Sequence, residues 1–149
     1  MSFPRWYIVA STEHAYDDTG EIRGSLGHNL RVVEYHHAVD DTINDDETAW
    51  CASFVNWCLR QCRYVGTGKR LARSFLSYGD ECEAKIGAIC VLWRESETSW
   101  KGHVGFYVGE DSSSVYLLGG NQGNRVSVKP YPKTRVLGYR WPSEDEDGG

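Results

Sequence analysis

A chain of 149 residues with 40% apolar and 13% aromatic content is long enough to bury one core of ordinary size and too hydrophobic for a disordered polymer. Its formal net charge is −5, but four of its 21 acidic residues stand together at Glu144 to Asp147, so the rest of the chain is close to neutral, with 17 acids against 16 bases. That balance lacks the basic face of an electrostatic nucleic-acid binder, and no run approaches the roughly 18 apolar residues of a membrane span.

The five cysteines, Cys51, Cys58, Cys62, Cys82 and Cys90, are odd in number, sparse and free of CxxC pairs. This argues against a disulfide scaffold and a structural zinc site, and for synthesis in a reducing compartment. No metal and no cofactor is expected. Near the N-terminus, Trp6-Tyr-Ile-Val-Ala10 is too short for the apolar core of a signal peptide, so work outside the cytoplasm requires another route of delivery.

In chain order, residues 5–16 predict a short amphipathic helix with Trp6, Val9 and Ala10 on one side. Gly20 to Asn29 holds three glycines and predicts a loop, with Asn29 as N-cap of a second helix from Leu30 to about Val39. Asp40-Asp-Thr-Ile-Asn-Asp-Asp-Glu47 is rich in oxygen ligands but lacks the EF-hand spacing, so a solvated connection is expected rather than a calcium loop. The central helix is expected from about Ala49 to Arg63. Cys51, Val55, Cys58 and Cys62 recur on one of its faces, so Cys58 and Cys62 are expected to be core thiols. Gly66-Thr-Gly68 followed by Lys69 is a cap and turn, since the Walker spacing is absent.

Leu71 to Tyr78 predicts a further helical segment, with a turn at Gly79-Asp80, and from Lys85 the pattern becomes strand-like. Gly87-Ala-Ile-Cys-Val-Leu-Trp93 suits a strand buried on both faces. His103 to Val108 alternates, with Val104, Phe106 and Val108 on one face. Asp111-Ser-Ser-Ser114 predicts a hairpin turn into Val115 to Leu118. Strands are expected again at Val126 to Val128 and Val136 to Trp141, with Pro130 and Pro132 between them. Helices followed by antiparallel strands give an α+β domain over residues 1–142, and the acidic segment 143–149 is expected to be a disordered tail.

The chemistry converges on Thr48-Ala-Trp-Cys51. With Thr48 as N-cap, Cys51 falls at the third helical position, where free backbone N–H groups and the helix dipole favour thiolate. A nucleophilic cysteine needs a base, a residue to orient that base, and oxyanion donors. His103 supplies the base. Asn121 and Gln122 both offer an amide oxygen to its ring. Strand alternation would turn them to opposite faces, and Asn121 is preferred. The backbone N–H of Cys51 is one oxyanion donor, and Trp50, Gly102 and Gly120 mark the expected substrate and oxyanion side.

The segments Trp50-Cys-Ala-Ser-Phe-Val-Asn-Trp57, Gly102-His-Val-Gly-Phe-Tyr-Val-Gly109, Leu118-Gly-Gly-Asn-Gln122 and Leu137-Gly-Tyr-Arg-Trp-Pro142, in this order, resemble peptidoglycan hydrolases of the CHAP and NlpC type, with single-domain phage and prophage lysins the nearest likeness. Glu21-Ile-Arg-Gly24 and Asn29 to Tyr35 extend the resemblance over most of residues 6–142. It implies a papain-like fold with the nucleophile helix packed on an antiparallel sheet. It also implies cysteine-dependent hydrolysis of amide bonds in cell-wall peptides by a monomer, with Cys51 as nucleophile, His103 as base and peptidoglycan as partner. Many CHAP enzymes have Gln before the cysteine, where this chain has Trp50. Delivery by a holin, or by a secretion apparatus with an immunity protein protecting the producer, fits the absent signal peptide. The other readings are a non-catalytic wall-binding or phage structural module and a protease acting on proteins.

Overall fold

The computed structural model describes residues 3–18, 30–40, 42, 50–123 and 125–143. The predicted loop at Gly20 to Asn29, Thr48 as a cap, most of the acidic connection and the 144–149 tail lie outside them. Three helices come first: α1 (Arg5–Asp18), α2 (Leu30–His37) and α3 (Cys51–Gln61). A short 3-10 helix at Ala72–Ser77 leads into β1 (Asp80–Glu81), β2 (Ile89–Trp93), β3 (Gly102–Glu110), β4 (Ser114–Gly119), β5 (Ser127–Pro132) and β6 (Val136–Trp141). The strands form one antiparallel sheet in the order β1-β6-β2-β3-β4-β5, the α+β arrangement read from the sequence.

The central strand β2 explains its own composition. Ile89 and Val91 face the main core, where α3 contributes Phe54, Val55, Cys58 and Leu59. Cys90 and Leu92 face a second, smaller core with Tyr107, Val115 and Leu117. A strand covered on both faces has no position for a polar side chain. The alternation of β3 divides the same way, Val104 and Phe106 to the helix side and Tyr107 to the other. Bulges between Val91 and Leu92 and between Tyr107 and Gly109 interrupt the ladders, and such insertions bend and twist a sheet.

Pro130 and Pro132 correct the sequence reading. They belong to β5 rather than to a connection, because β5 pairs only with β4 and ends the sheet; an edge strand tolerates residues that cannot donate.

The helices are joined by polar groups as well as apolar ones. Tyr35 stacks on Trp50 at 5.7 Å and meets Phe54 and Trp57 edge-on. Its hydroxyl donates to Glu13 at 2.5 Å, and Arg31 pairs with the same carboxylate at 3.0 Å. Asn56, in the middle of the apolar helix α3, donates to the carbonyls of Ala52 and Lys69 and accepts from Gly68 N–H. A buried amide is tolerable only with such partners, and here they tie the 66–69 loop to α3.

Candidate active site

Helix α3 begins at Cys51 itself, with Trp50 as its N-cap and no side-chain cap bond. This corrects the third-position reading. At the first helical position the Cys51 N–H is one of the donors that no turn of the helix can satisfy, and the Ala52 N–H beside it reaches the sulfur.

Cys51 meets His103, the second residue of β3. Burial works to raise the Cys51 pKa. The hydrogen bond and charge of His103, with backbone hydrogen bonds from Val104 and Ala52, outweigh it and bring the thiol below its ordinary value. Burial likewise works to lower the His103 pKa, and the hydrogen bond and charge of Cys51, then the hydrogen bond to Gln122, turn it upward; Arg94 opposes them. The other four thiols serve as internal controls. Burial pushes Cys90 up to about 12 and raises Cys58, Cys62 and Cys82. Cys58 and Cys62 are buried core residues as expected. One thiol of five is therefore tuned toward thiolate, so iodoacetamide at neutral pH should alkylate Cys51 at least about tenfold faster than any other cysteine. Peptide mapping after a short exposure reads this directly, and uniform labelling of all five would contradict the thiol assignment.

The ring of His103 is oriented by Gln122, not by Asn121. The Gln122 amide nitrogen donates to the carbonyls of Leu117 at 3.1 Å and Ser127 at 2.7 Å, so its oxygen is the atom that faces His103 Nε2, at 2.8 Å. An amide oxygen only accepts. Nε2 therefore carries the hydrogen in the neutral ring, and Nδ1 is the nitrogen left for Cys51. Strand alternation does not govern the pair, because β4 stops at Gly119 and Asn121 turns the chain with φ +59°. Asn121 instead lines the cleft.

Tyr131 was missed by sequence reasoning. Its hydroxyl lies 3.2 Å from His103 Nε2 and its ring 5.1 Å from the imidazole; burial pushes its pKa up to about 12, so it remains a neutral phenol. Placement of residues 130–132 in an inter-strand connection hid it.

Cys51 and His103 open into a cleft of about 460 Å³. Arg70 and Leu71, which lead into the 3-10 segment, and Ala72 at its start line it, the loop after β2 contributes Arg94, Trp100 and Lys101, and Tyr131 and Arg135 complete the lining. Arg73 holds that loop in place by donating to the carbonyls of Ser96, Glu97 and Lys101 at 2.7–2.8 Å. Gly102 lines the cleft as expected, and a Cβ there would sit 2.8 Å from the Leu92 carbonyl oxygen, so only glycine fits. Trp50 and Gly120 do not line it. Trp50 is 2% exposed beneath Tyr35, and Gly120 packs on the Trp50 ring, where a Cβ would lie 2.7 Å from ring carbons. Both expected substrate positions are thus packing positions, with the Trp50 ring shaped to a glycine surface.

Among the described residues no cluster of three or more His, Cys, Asp or Glu side chains is arranged to hold a metal ion, and no helix is long and apolar enough to cross a membrane. A family model described as CHAP domain matches residues 43–121, just over half of the chain. The matched stretch contains Cys51, His103 and Asn121 and ends one residue before Gln122. A comparison with curated proteins gives no match.

Proposed function

The chain belongs to the CHAP family, whose members are generally cysteine- and histidine-dependent hydrolases of peptidoglycan, and on that premise we propose that it cleaves an amide bond in cell-wall peptides through a thioester on Cys51. The observation that carries the proposal is geometric: Cys51 at the start of α3 and His103, its ring fixed by the Gln122 amide oxygen at 2.8 Å, meet in one open cleft. The thiol is drawn downward and the imidazole upward there, which favours a thiolate–imidazolium pair.

In the first half-reaction the Cys51 thiolate attacks the amide carbon, and the carbonyl oxygen takes the negative charge within reach of the Cys51 N–H. The proton on His103 Nδ1 passes to the amide nitrogen, the carbon–nitrogen bond breaks and the amine leaves. In the second, Nδ1 takes one proton from water, the resulting hydroxide attacks the thioester, the carbon–sulfur bond breaks, and the acid departs and loses its proton to solvent while the thiolate–imidazolium pair is restored. Gln122 is a positioning residue, because it keeps Nε2 protonated and the ring aimed at the sulfur. Gln122→Ala should lower kcat/KM by about 10- to 100-fold, the usual scale for losing an orienting partner of a working histidine, and slow Cys51 alkylation at neutral pH. A variant that alkylates and turns over like the wild type would remove Gln122 from the mechanism.

Delivery to the wall by phage lysis or by a secretion apparatus belongs to the same reading. The deciding assay measures amino groups released from purified peptidoglycan beside those released from casein. Release from peptidoglycan alone supports the proposal. Release from casein alone points to a protein-directed protease, and sedimentation with peptidoglycan without any release points to a binding module.

A further inference from the structure

The chain is acidic overall, yet its catalytic cleft is basic. The formally charged residues that line it, His103 aside, are Arg70, Arg94, Lys101 and Arg135, with no Asp or Glu among the described lining residues. These four cations are not equivalent. Lys101 is paired with Glu95 at 2.8 Å. Arg135 is held in place, its Nε donating to the Trp93 carbonyl at 3.0 Å and its guanidinium carbon 5.7 and 5.8 Å from the Trp93 and Tyr131 rings, which leaves its terminal nitrogens for another partner. Arg94 is exposed and forms no ion pair among the described residues.

Arg94 is also turned toward the chemistry. It lines the cleft beside Cys51, His103 and Tyr131, and its charge works against the net rise in the pKa of both His103 and Tyr131. A cation that opposes the imidazolium weakens the thiolate–imidazolium pair in the free protein. The same cation becomes favourable once an anion sits against it. A guanidinium matches a carboxylate through two parallel hydrogen bonds, and a fixed partner such as Arg135 loses little entropy in making them.

We propose that the cleft selects peptides carrying a free carboxylate next to the scissile amide, and that Arg94 and Arg135 hold that carboxylate. Arg70 also lines an adjoining cavity of about 550 Å³ together with Lys69 and Asp40, and its charge acts on Asp40, so the carboxylate is assigned to Arg94 and Arg135 rather than to Arg70. The proposal rests on reading the cleft as a peptide-cleaving site, and its test separates the two.

The protein carrying Cys51→Ala, which cannot turn substrate over, is titrated by calorimetry with a synthetic wall peptide bearing free carboxylates and with the same peptide fully amidated. The free acid should bind about tenfold or more tightly, as expected for a charge-assisted pair, and raising the salt concentration should narrow the gap. Adding Arg94→Gln should shrink the preference to about twofold, whereas Arg94→Lys should retain part of it. Arg94 is exposed, so these variants should melt with the parent. Equal binding of acid and amide, no binding of either, or a preference unchanged by Arg94→Gln would overturn the proposal. Turnover by the unmodified protein tests the other reading: peptidoglycan hydrolysis without a carboxylate preference sinks the subsite alone, and a carboxylate preference without hydrolysis sinks the hydrolase alone.

Discussion

Cys51→Ala is expected to lower peptidoglycan hydrolysis by at least about 10³-fold while leaving the fold in place. The thioester route passes through this sulfur and no other. The remaining thiols are held above their ordinary pKa by burial, and among them Cys58 and Cys90 are fully buried, so none can take over the attack. What survives is the contribution of binding and oxyanion donors, which in enzymes with a covalent nucleophile is a small remnant of the total. The structural cost is slight. Cys51 is 8% exposed at the wall of an open cleft, where removing the sulfur leaves no closed cavity and water from the cleft can take its place beside His103 and the Val104 and Ala52 N–H groups. Thermal unfolding should stay within about 2–3 °C of the parent, the scale of a change below 1 kcal/mol in a domain of this size. Loss of activity together with a collapse in melting temperature would mean that Cys51 is structural.

His103→Ala is expected to cost about 10²–10⁴-fold, the span of a positioned acid–base group, and to change the shape of the pH profile. With both groups present, activity rises as pH climbs through the lowered pKa of Cys51 and falls as pH climbs through the raised pKa of His103. The active form carries a deprotonated sulfur and a protonated ring, so the profile is a bell whose limbs belong to the coupled pair. Removing the ring deletes the hydrogen bond and the charge of His103 and leaves burial, the largest influence and one that raises the thiol, opposed only by the weaker Val104 and Ala52 hydrogen bonds. The descending limb should vanish and the ascending limb should move to higher pH, and the rate of Cys51 alkylation against pH should show the same displacement. An alkylation profile identical to the parent's would mean that His103 does not activate the thiol.

The parts of this site that follow simple periodicities were legible in the sequence. Residues 51–62 keep a helical spacing of thiols and apolar residues, and residues 103–108 alternate, so the helix and the strand carrying Cys51 and His103 were readable, as was the α+β order. What escaped depends on single backbone conformations. Asn121 takes φ +59°, which breaks the strand and brings Gln122 rather than its neighbour to the imidazole, and no pattern of residue types announces that turn. Tyr131 was hidden by two flanking prolines, which suit a connection as well as they suit an edge strand. Trp50 adjoins the nucleophile in sequence, yet its ring is buried under Tyr35, because a residue next to a helix start can turn toward either the core or the cleft. Asn56 did carry a signal, an amide centred in an apolar helix. Its partners at 66–69 lie a loop away and could not be named without the fold.

The central claim, that Cys51 and His103 hydrolyse a wall-peptide amide, is tested most directly by mass spectrometry of the soluble products of purified peptidoglycan incubated with the unmodified protein and with the Cys51→Ala variant. The account predicts peptide fragments bearing a new amine and its matching new carboxylate in the first digest and none in the second. Identical product profiles from the two proteins would contradict it.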